Sequence, residues 1–221
     1  MISKSTSCKA AVEMIPDGAS LMIGGFMGVG SPHRIIDELV RQGRKDLTVI
    51  ANDTGRLGFG IGRLIDAKLI KKLIATHIGL NPETQRQMIA GEIEVELCPQ
   101  GTLAERIRSG GFGLGGVLTP TGIGTVVADG KRTIEVEGKL FLLELPLQAD
   151  FALLAAHRAD YRGNLEYSLT ARNFNMVMAT AGKTVIAEAE HIVPIGVIPP
   201  DSVATPFVCV DHIIERSNCG Q

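Results

Sequence analysis

Residues 17–32 read DGASLMIGGFMGVGSP, which places a turn, a short apolar strand and a glycine-rich loop in immediate succession. Asp17-Gly18 is a typical turn pair, and Leu21–Ile23 has the length and composition of a strand that is covered on both faces. Pro32 suits the first turn of a helix, because its missing N–H is not needed there. A buried strand that leads through glycines into a helix is typical of an α/β protein.

The glycine-rich loop is the first candidate for a binding site, because main chain without Cβ atoms can be approached closely. The predicted substrate-binding residues are Gly24, Gly25, Phe26, Met27, Gly28 and Gly30. A dinucleotide-binding G-x-G-x-x-G is disfavoured, because His33 stands where the third glycine belongs, and the phosphate-loop pattern of NTPases is absent. A second interpretation stays open, in which the glycines only allow strand and helix to pack closely.

Length and composition favour a single α/β domain over residues 1–221, with 45% hydrophobic residues to supply its core. Lys and Arg number 22 against 24 Asp and Glu, so no net positive field draws the chain to nucleic acid or to an anionic membrane. The absence of Trp also argues against a base-stacking surface. Neither a membrane-spanning run of about 20 apolar residues nor a leader pattern is present, so we expect a cytoplasmic protein.

No metal site is expected from the linear spacing of the cysteines and histidines. The four cysteines form no C-x-x-C pair, and the five histidines form no H-E-x-x-H pattern. The residues concerned are Cys8, Cys98, Cys209 and Cys219, with His33, His77, His157, His191 and His212.

Apolar segments of strand length alternate with amphipathic segments along the chain, as in α/β proteins. Strands are predicted at 21–24, 47–50, 71–75, 93–97, 151–156, 184–187 and 208–210, and helices at 9–15, 34–41, 82–90 and 101–109. Thr102 is the predicted N-cap of the last of these helices. Residues 110–130 are rich in glycine and predict a long loop, and a hairpin follows at 132–143.

Two amide side chains follow predicted strands, at the edge of the sheet where α/β proteins bind ligands. Asn52 comes after the strand at 47–51, and Gln100 comes after the strand at 93–98. A neutral amide there can donate to an acyl oxygen, which suits acyl chemistry. The alternatives are a turn-forming Asn and a surface Gln. Arg172 can bind a carboxylate or phosphate, although pairing with an Asp is the favoured interpretation.

A covalent nucleophile cannot be recognised in the sequence. The chain contains no G-x-S-x-G, no cysteine in a catalytic signature and no identifiable pair of carboxylates. The glycine loop and the two amides therefore predict one half of an active site, the half without the nucleophile.

The pattern D-G-x-x-L-M-I-G-G-F-x-x-x-G-x-P over residues 17–32 resembles the signature of the alpha subunits of family I coenzyme A transferases. The likeness extends over nearly the whole chain, through residues 51–54, 81–84, 99–108, 122–125 and 171–175. The bacterial acetate and acetoacetate enzymes look most similar, and the 3-oxoacid and 3-oxoadipate enzymes are similar too.

The resemblance implies an open, mainly parallel α/β sheet flanked by helices, a fold shared with sugar-phosphate isomerase-like proteins. It implies transfer of CoA from an acyl-CoA to a carboxylic acid by a ping-pong route, with coenzyme A as substrate and no tightly bound cofactor. The nucleophilic glutamate of such enzymes lies in a Ser-Glu-Asn-Gly segment of a beta subunit, and this chain has no such segment. An obligate beta partner, in an assembly of two alpha and two beta chains, is therefore expected.

In related enzymes an Asn and a Gln of the alpha half approach the reacting carboxyl group, and they match Asn52 and Gln100 here. The resemblance thus implies a supporting catalytic role for both side chains. Two other classes stay open at this point, a non-catalytic ligand-binding protein on the same fold and a sugar-phosphate isomerase.

Overall fold

The computed structural model describes residues 4–215, in which eleven strands form two sheets. The large sheet contains β1 (Ser20–Ile23), β2 (Leu47–Asp53), β3 (Ile70–His77), β4 (Glu94–Leu97), β8 (Ala149–Asp160), β9 (Leu165–Glu166), β10 (Gly182–Val193) and β11 (His212–Glu215). The small sheet contains β5 (Val117–Thr119), β6 (Thr133–Val136) and β7 (Lys139–Glu144). Every pairing in the large sheet is parallel except that of β8 with β9, which confirms the predicted open, mainly parallel sheet.

Helices cover both faces of the large sheet. They are α1 (Cys8–Glu13), α2 (His33–Gln42), α3 (Gly62–Asp66), α4 (Pro82–Ile89), α5 (Gln100–Gly111) and α6 (Asn175–Met178). Successive side chains of β1 point to opposite faces, so Leu21 packs with residues of α2 while Met22 packs with residues of α5 and α6. Burial on both faces explains why residues 21–23 form a continuous apolar run.

Local signals in the sequence set the ends of several helices. Gly43 ends α2 in the left-handed conformation with φ +68°, and Asn81 caps α4 by accepting from the N–H groups of Glu83 and Thr84. The start of α2 depends on a distant residue instead. Buried Glu188 of β10 accepts from the N–H groups of Arg34 and Ile35 at 3.0 and 3.2 Å, which satisfies donors that Pro32 cannot cap.

The order of the strands places a crevice beside β1. The large sheet runs β11-β10-β8-β1-β2-β3-β4, so the chain first winds outward from β1 to β4 and then returns to the other side of β1. The winding direction reverses between β1 and β8, and ligands bind at the carboxyl edge of the sheet at such a point. The glycine-rich loop leaves β1 at this edge.

Three details of the predicted secondary structure are wrong. Residues 207–209 form a 3₁₀ helix after Pro206, and the last strand of the described residues is β11, which buries Ile213 and Ile214 in the core. The helix predicted from Gly101 begins at Gln100 after Pro99, so Thr102 lies buried in its first turn and does not cap it. The predicted loop at 110–130 contains β5, because Gly116 lets the chain pass close to the Glu144 carbonyl and pair with β7.

β8 and β10 extend at both ends beyond their predicted limits, to Asp160 and Val193 at the carboxyl edge. Cys8 and Cys98 are buried and Cys209 is half-buried, whereas Cys219 lies outside the described residues. Among residues 4–215, no helix combines the length and the apolar composition that crossing a bilayer requires.

Candidate functional site

The glycine-rich loop forms a tight two-residue turn. The main chains of Phe26 and Val29 exchange two hydrogen bonds at 3.0 and 2.9 Å, and the two residues between them, Met27 and Gly28, have φ values of 51° and 84°. Positive φ at both central residues is typical of the type I′ turns of hairpins. The side chains of Phe26 and Val29 are exposed at its tip.

Asparagines from residues 171–175 hold this turn against β8. Asn175 is fully buried; its Oδ1 accepts from the Ala155 N–H at 3.1 Å and its Nδ2 donates to the Gly30 carbonyl at 2.9 Å. Asn173 Oδ1 accepts from the Gly25 N–H at 3.2 Å. A Cβ on Gly24 would lie 1.9 Å from Asn175 Oδ1, so close packing accounts for the glycine at this position. For Gly24, the packing interpretation is thus supported by the structure.

Arg172 lies exposed in the same segment. Within residues 4–215 it forms no ion pair, so the expected pairing with an Asp inside this chain is not found.

The two amides predicted from separate strands are in direct contact. Gln100 Nε2 donates to Asn52 Oδ1 at 2.6 Å, and Thr76 Oγ1 donates to the Asn52 carbonyl at 2.8 Å. Asn52 is buried near the end of β2, whereas Gln100 is exposed at the start of α5. Each amide nitrogen carries two hydrogens and uses one of them here, so each retains a donor for a bound ligand.

Asp53 links this amide pair to the glycine turn. Its buried carboxylate accepts from Asn52 Nδ2 at 2.7 Å, from the Met27 N–H at 2.8 Å and from the Gly55 N–H at 2.7 Å. Three donors therefore occupy this carboxylate, which makes it a positioning group rather than a free nucleophile. Asp53 is not among the site residues predicted from the sequence, although its position beside Asn52 at the end of a buried strand is a usable signal.

A second turn with the same glycine pattern follows β2. Residues 25–30 and 55–60 both read G-x-x-G-x-G, and Arg56 and Phe59 are bridged across the second turn as Phe26 and Val29 are across the first. The two turns touch, because a Cβ on Gly28 would lie 2.1 Å from the Phe59 ring. The G-x-x-G-x-G pattern recurs after 30 residues, and this recurrence is a sequence signal for the pair of turns.

A cavity of about 370 Å³ opens between β1 and β8 at the carboxyl edge. The glycine turn forms one wall, the ends of β8 and β10 form a second wall, and residues 168–171 form a third. Asn52 and Gln100 lie on the other side of the glycine turn, outside the lining of this cavity. The turn thus separates the cavity from the amide pair and is connected to the amide pair through Asp53.

Comparison with known proteins identifies the family of this arrangement. The family model described as coenzyme A transferase matches residues 5–216. The chain is 51% identical over 214 residues to the alpha chain of the acetate CoA-transferase of Escherichia coli, covering 97% of each chain. It is 50% identical over 200 residues to the alpha chain of the acetoacetyl-CoA:acetate/butyrate CoA transferase of Clostridium acetobutylicum, covering 90% of this chain and 92% of that one.

Solved structures share the fold at low sequence identity. An acyl-CoA transferase of Escherichia coli O157:H7, solved as a thioester complex with CoA, superposes with a TM-score of 0.86 at 23% identity; the match covers 99% of this chain but 48% of that longer chain. Glutaconate coenzyme A-transferase of Acidaminococcus fermentans gives a TM-score of 0.85 at 20% identity over 96% of this chain and 75% of that one. The resemblance seen in residues 17–32 is confirmed, and the chain belongs to the coenzyme A transferase family.

Proposed function

We propose that this chain is the alpha subunit of a heteromeric transferase that moves CoA from a short-chain acyl-CoA to acetate, acetoacetate or a similar carboxylic acid. The observation that carries the proposal is the continuous chain of hydrogen bonds from Gln100 through Asn52 and Asp53 to Met27. It joins two amide donors to the glycine turn at the edge where such a sheet binds its ligand. The names of the acetate and acetoacetyl-CoA relatives support the substrate class.

The reaction needs a nucleophile that we assign to a beta subunit. Its glutamate carboxylate attacks the thioester carbonyl and the C–S bond breaks. CoA leaves as a thiolate, and the acyl group remains on the glutamate as a mixed anhydride. The thiolate then attacks the glutamyl carbonyl, which releases the donor acid and leaves a glutamyl-CoA thioester. The acceptor acid takes CoA by the same steps in reverse.

In this scheme Gln100 and Asn52 of the present chain are supporting residues. Each has an N–H that can donate to the oxygen on which negative charge develops during attack, and one such donor contributes about 3 kcal/mol to transition-state stabilisation. The Asp53 carboxylate fixes the Asn52 amide and the turn at Met27 in one arrangement. We include Gly25, Phe26, Met27, Gly28 and Gly30 as the substrate-binding wall, and Gly24 as the buried residue whose missing side chain lets Asn175 pack behind that wall.

A beta partner also suits the surface of the two turns. Phe26, Val29 and Leu57 expose apolar side chains around the proposed site, and such groups are a common mark of a protein interface. We propose that residues 1–221 form one domain that assembles as two alpha and two beta chains. Because CoA thioesters are metabolites of the cell interior, we place the reaction in the cytoplasm.

The test is to assay this chain alone and after co-expression with the protein encoded beside its gene. Transfer of CoA from acetoacetyl-CoA to acetate should require both chains. Transferase activity of the isolated chain would contradict the half-site proposal. A neighbouring protein without a Ser-Glu-Asn-Gly segment would contradict the assigned nucleophile.

A second substrate pair is favoured by another group of relatives. The corresponding chain of the succinyl-CoA:3-ketoacid coenzyme A transferase of Xanthomonas campestris is 49% identical over 207 residues, which is nearly as similar as the acetate enzyme. Succinyl-CoA with acetoacetate should therefore be assayed beside acetyl-CoA with butyrate. The pair with the higher kcat/KM identifies the branch, since an enzyme discriminates between substrates by the ratio of their kcat/KM values.

A further inference from the structure

The carboxyl ends of β8 and β10 bring together three side chains with metal-binding groups. His157, Glu190 and His191 each offer one ligand atom, and these atoms all lie within 4.8 Å of one another. His157 Nδ1 is 2.8 Å from Glu190 Oε2, and the two imidazole rings lie edge to face with centroids 5.6 Å apart. His157 precedes Glu190 and His191 by 33 and 34 residues, so the spacing in the sequence does not reveal the cluster.

Strand pairing fixes the backbone beneath this cluster. β8 and β10 pair in parallel along this segment. His191 lies opposite Arg158, and the pairing continues to Val193 opposite Asp160. Within the described residues, the neighbouring strand β11 pairs with β10 up to Glu215 opposite Ala189, which is next to the cluster. The ligand groups are thus held on two paired strands, with Glu190 and His191 exposed and His157 half-buried.

The donor set suits zinc and related ions. Two imidazoles and one carboxylate are the protein ligands of many zinc sites that keep a position for water. Ligand atoms about 2.0–2.1 Å from a tetrahedral zinc ion lie about 3.4 Å apart, so side-chain rotations have to bring the three ligand atoms, which now all lie within 4.8 Å of one another, to that spacing. The nearby positive charge of Arg158 is paired with Glu166 and therefore does not oppose a cation strongly.

We propose that His157, Glu190 and His191 bind one divalent transition-metal ion, with zinc as the best-suited ion. The ion replaces the imidazole proton in the contact between His157 and Glu190, and that proton moves to the other ring nitrogen. His157 and Glu190 also line the cavity beside the glycine turn, so the bound ion borders that cavity. The assignment rests on these side chains alone and is independent of the proposed transferase reaction.

The experiment titrates the full chain, without a polyhistidine tag and in the assembly in which it is purified, with zinc chloride in a calorimeter. We expect one ion per chain. His157→Ala and His191→Ala should each weaken binding by at least about 10-fold, and Glu190→Gln should weaken it at nearly unchanged side-chain volume. His77→Ala is the matched control, because it removes an exposed imidazole from the end of β3. Thermal unfolding without metal checks that every variant is folded.

Cobalt chloride serves as a second probe, because its visible absorption reports the ligand type. Nitrogen and oxygen ligands without a sulfur-to-metal band are expected, and this spectrum should be lost in His191→Ala. The assignment is overturned if the wild-type chain does not bind zinc, or if the three variants bind as the wild type does. Equal loss of binding in His77→Ala, or a sulfur-to-cobalt band from the cysteines, also overturns it.

Discussion

Asn175 determines how closely the glycine turn approaches the rest of the sheet. Its amide bonds both to the Ala155 N–H of β8 and to the Gly30 carbonyl, and it leaves no room for a side chain at position 24. The residue is fully buried, so it cannot swing into solvent to relieve a clash. The turn is therefore held by packing as much as by its own conformation.

Gly24→Ala is expected to destabilise the chain by about 2 kcal/mol, the usual cost of forcing an extra methyl group into a packed site. The added Cβ would lie 1.9 Å from Asn175 Oδ1. Urea unfolding measures the change, with Gly115→Ala as control because nothing lies within 4 Å of a Cβ there. Equal stability of the two variants would show that the turn is free to move away from Asn175.

Gln100→Ala and Asn52→Ala should each lower kcat by about 10²–10³-fold in the assembled enzyme, since each removes one donor from the developing oxyanion. The double variant should lose less than the product of the two effects, because the side chains share a hydrogen bond of 2.6 Å. Steady-state kinetics with acetoacetyl-CoA and acetate measures both effects. Gln42→Ala, at the far end of α2, is the control, and wild-type turnover in both amide variants would remove them from the site.

At the level of single residues, the sequence predicts the amides but not their connection. Asn52 and Gln100 are recognisable because each follows a segment with the sequence pattern of a strand, although Asn52 itself lies within β2. Asp53 and Asn175 act through bonds to main-chain groups 20 or more residues away, and such partners depend on tertiary packing. The same reason hides the cluster of His157, Glu190 and His191.

At the scale of elements, Asp150 fastens β8 to β1 at the start of both strands. Its Oδ2 accepts from the Ser20 hydroxyl at 2.6 Å and from the Ser20 N–H at 3.0 Å, and its Oδ1 accepts from Lys183 at 2.9 Å. The Ser20 bonds and the Lys183 charge lower the pKa of this carboxyl from the ordinary 3.8 to about 2. The depressed pKa means that the ionised form stabilises the folded state.

This contribution is complete above pH 3.8 and is lost as the pH falls towards the folded pKa of about 2. Asp150→Asn should therefore flatten the fall in the free energy of unfolding over this range. The effect is about 1 kcal/mol or less, because the side chain is 43% exposed and water screens its charges. Urea unfolding at several pH values measures it. Asp46→Asn is the control, because Asp46 is exposed and its positive φ is one that Asn also tolerates. An equal change in that variant would contradict the role of Asp150.

Elements whose pattern agrees with their burial are predictable from the sequence. The run at 21–23 forms β1 as expected, and Gly43 and Asn81 mark helix ends because each acts on its own backbone. The strand predicted at 208–210 is wrong because apolar composition alone cannot show that Pro206 turns the chain there. The short β5 is missed because its pairing depends on β7, more than 20 residues away.

At the scale of the whole molecule, the proposed site lies at an open edge with apolar side chains around it. In the two G-x-x-G-x-G turns the apolar side chains of Phe26, Val29 and Leu57 are exposed to solvent. The buried positions of the same loops are occupied by glycine and polar residues instead. In the proposed function the nucleophile belongs to the beta chain, so the site becomes complete only on assembly. The interface and the site are therefore expected to share residues.

Leu57→Asp should weaken assembly with the beta subunit by at least about 10-fold without unfolding this chain, because charged residues are depleted from interface cores. Leu57 is 54% exposed and extends from the second turn, so the charge is solvated in the separate chain. Ile89→Asp is the matched control, since Ile89 is 82% exposed at the end of α4, on the opposite edge of the sheet. Sedimentation of the mixed chains measures assembly, and thermal unfolding of the separate variants checks their folds. Normal assembly of Leu57→Asp would place the beta chain away from this turn, and equal weakening by Ile89→Asp would show that added negative charge alone opposes association.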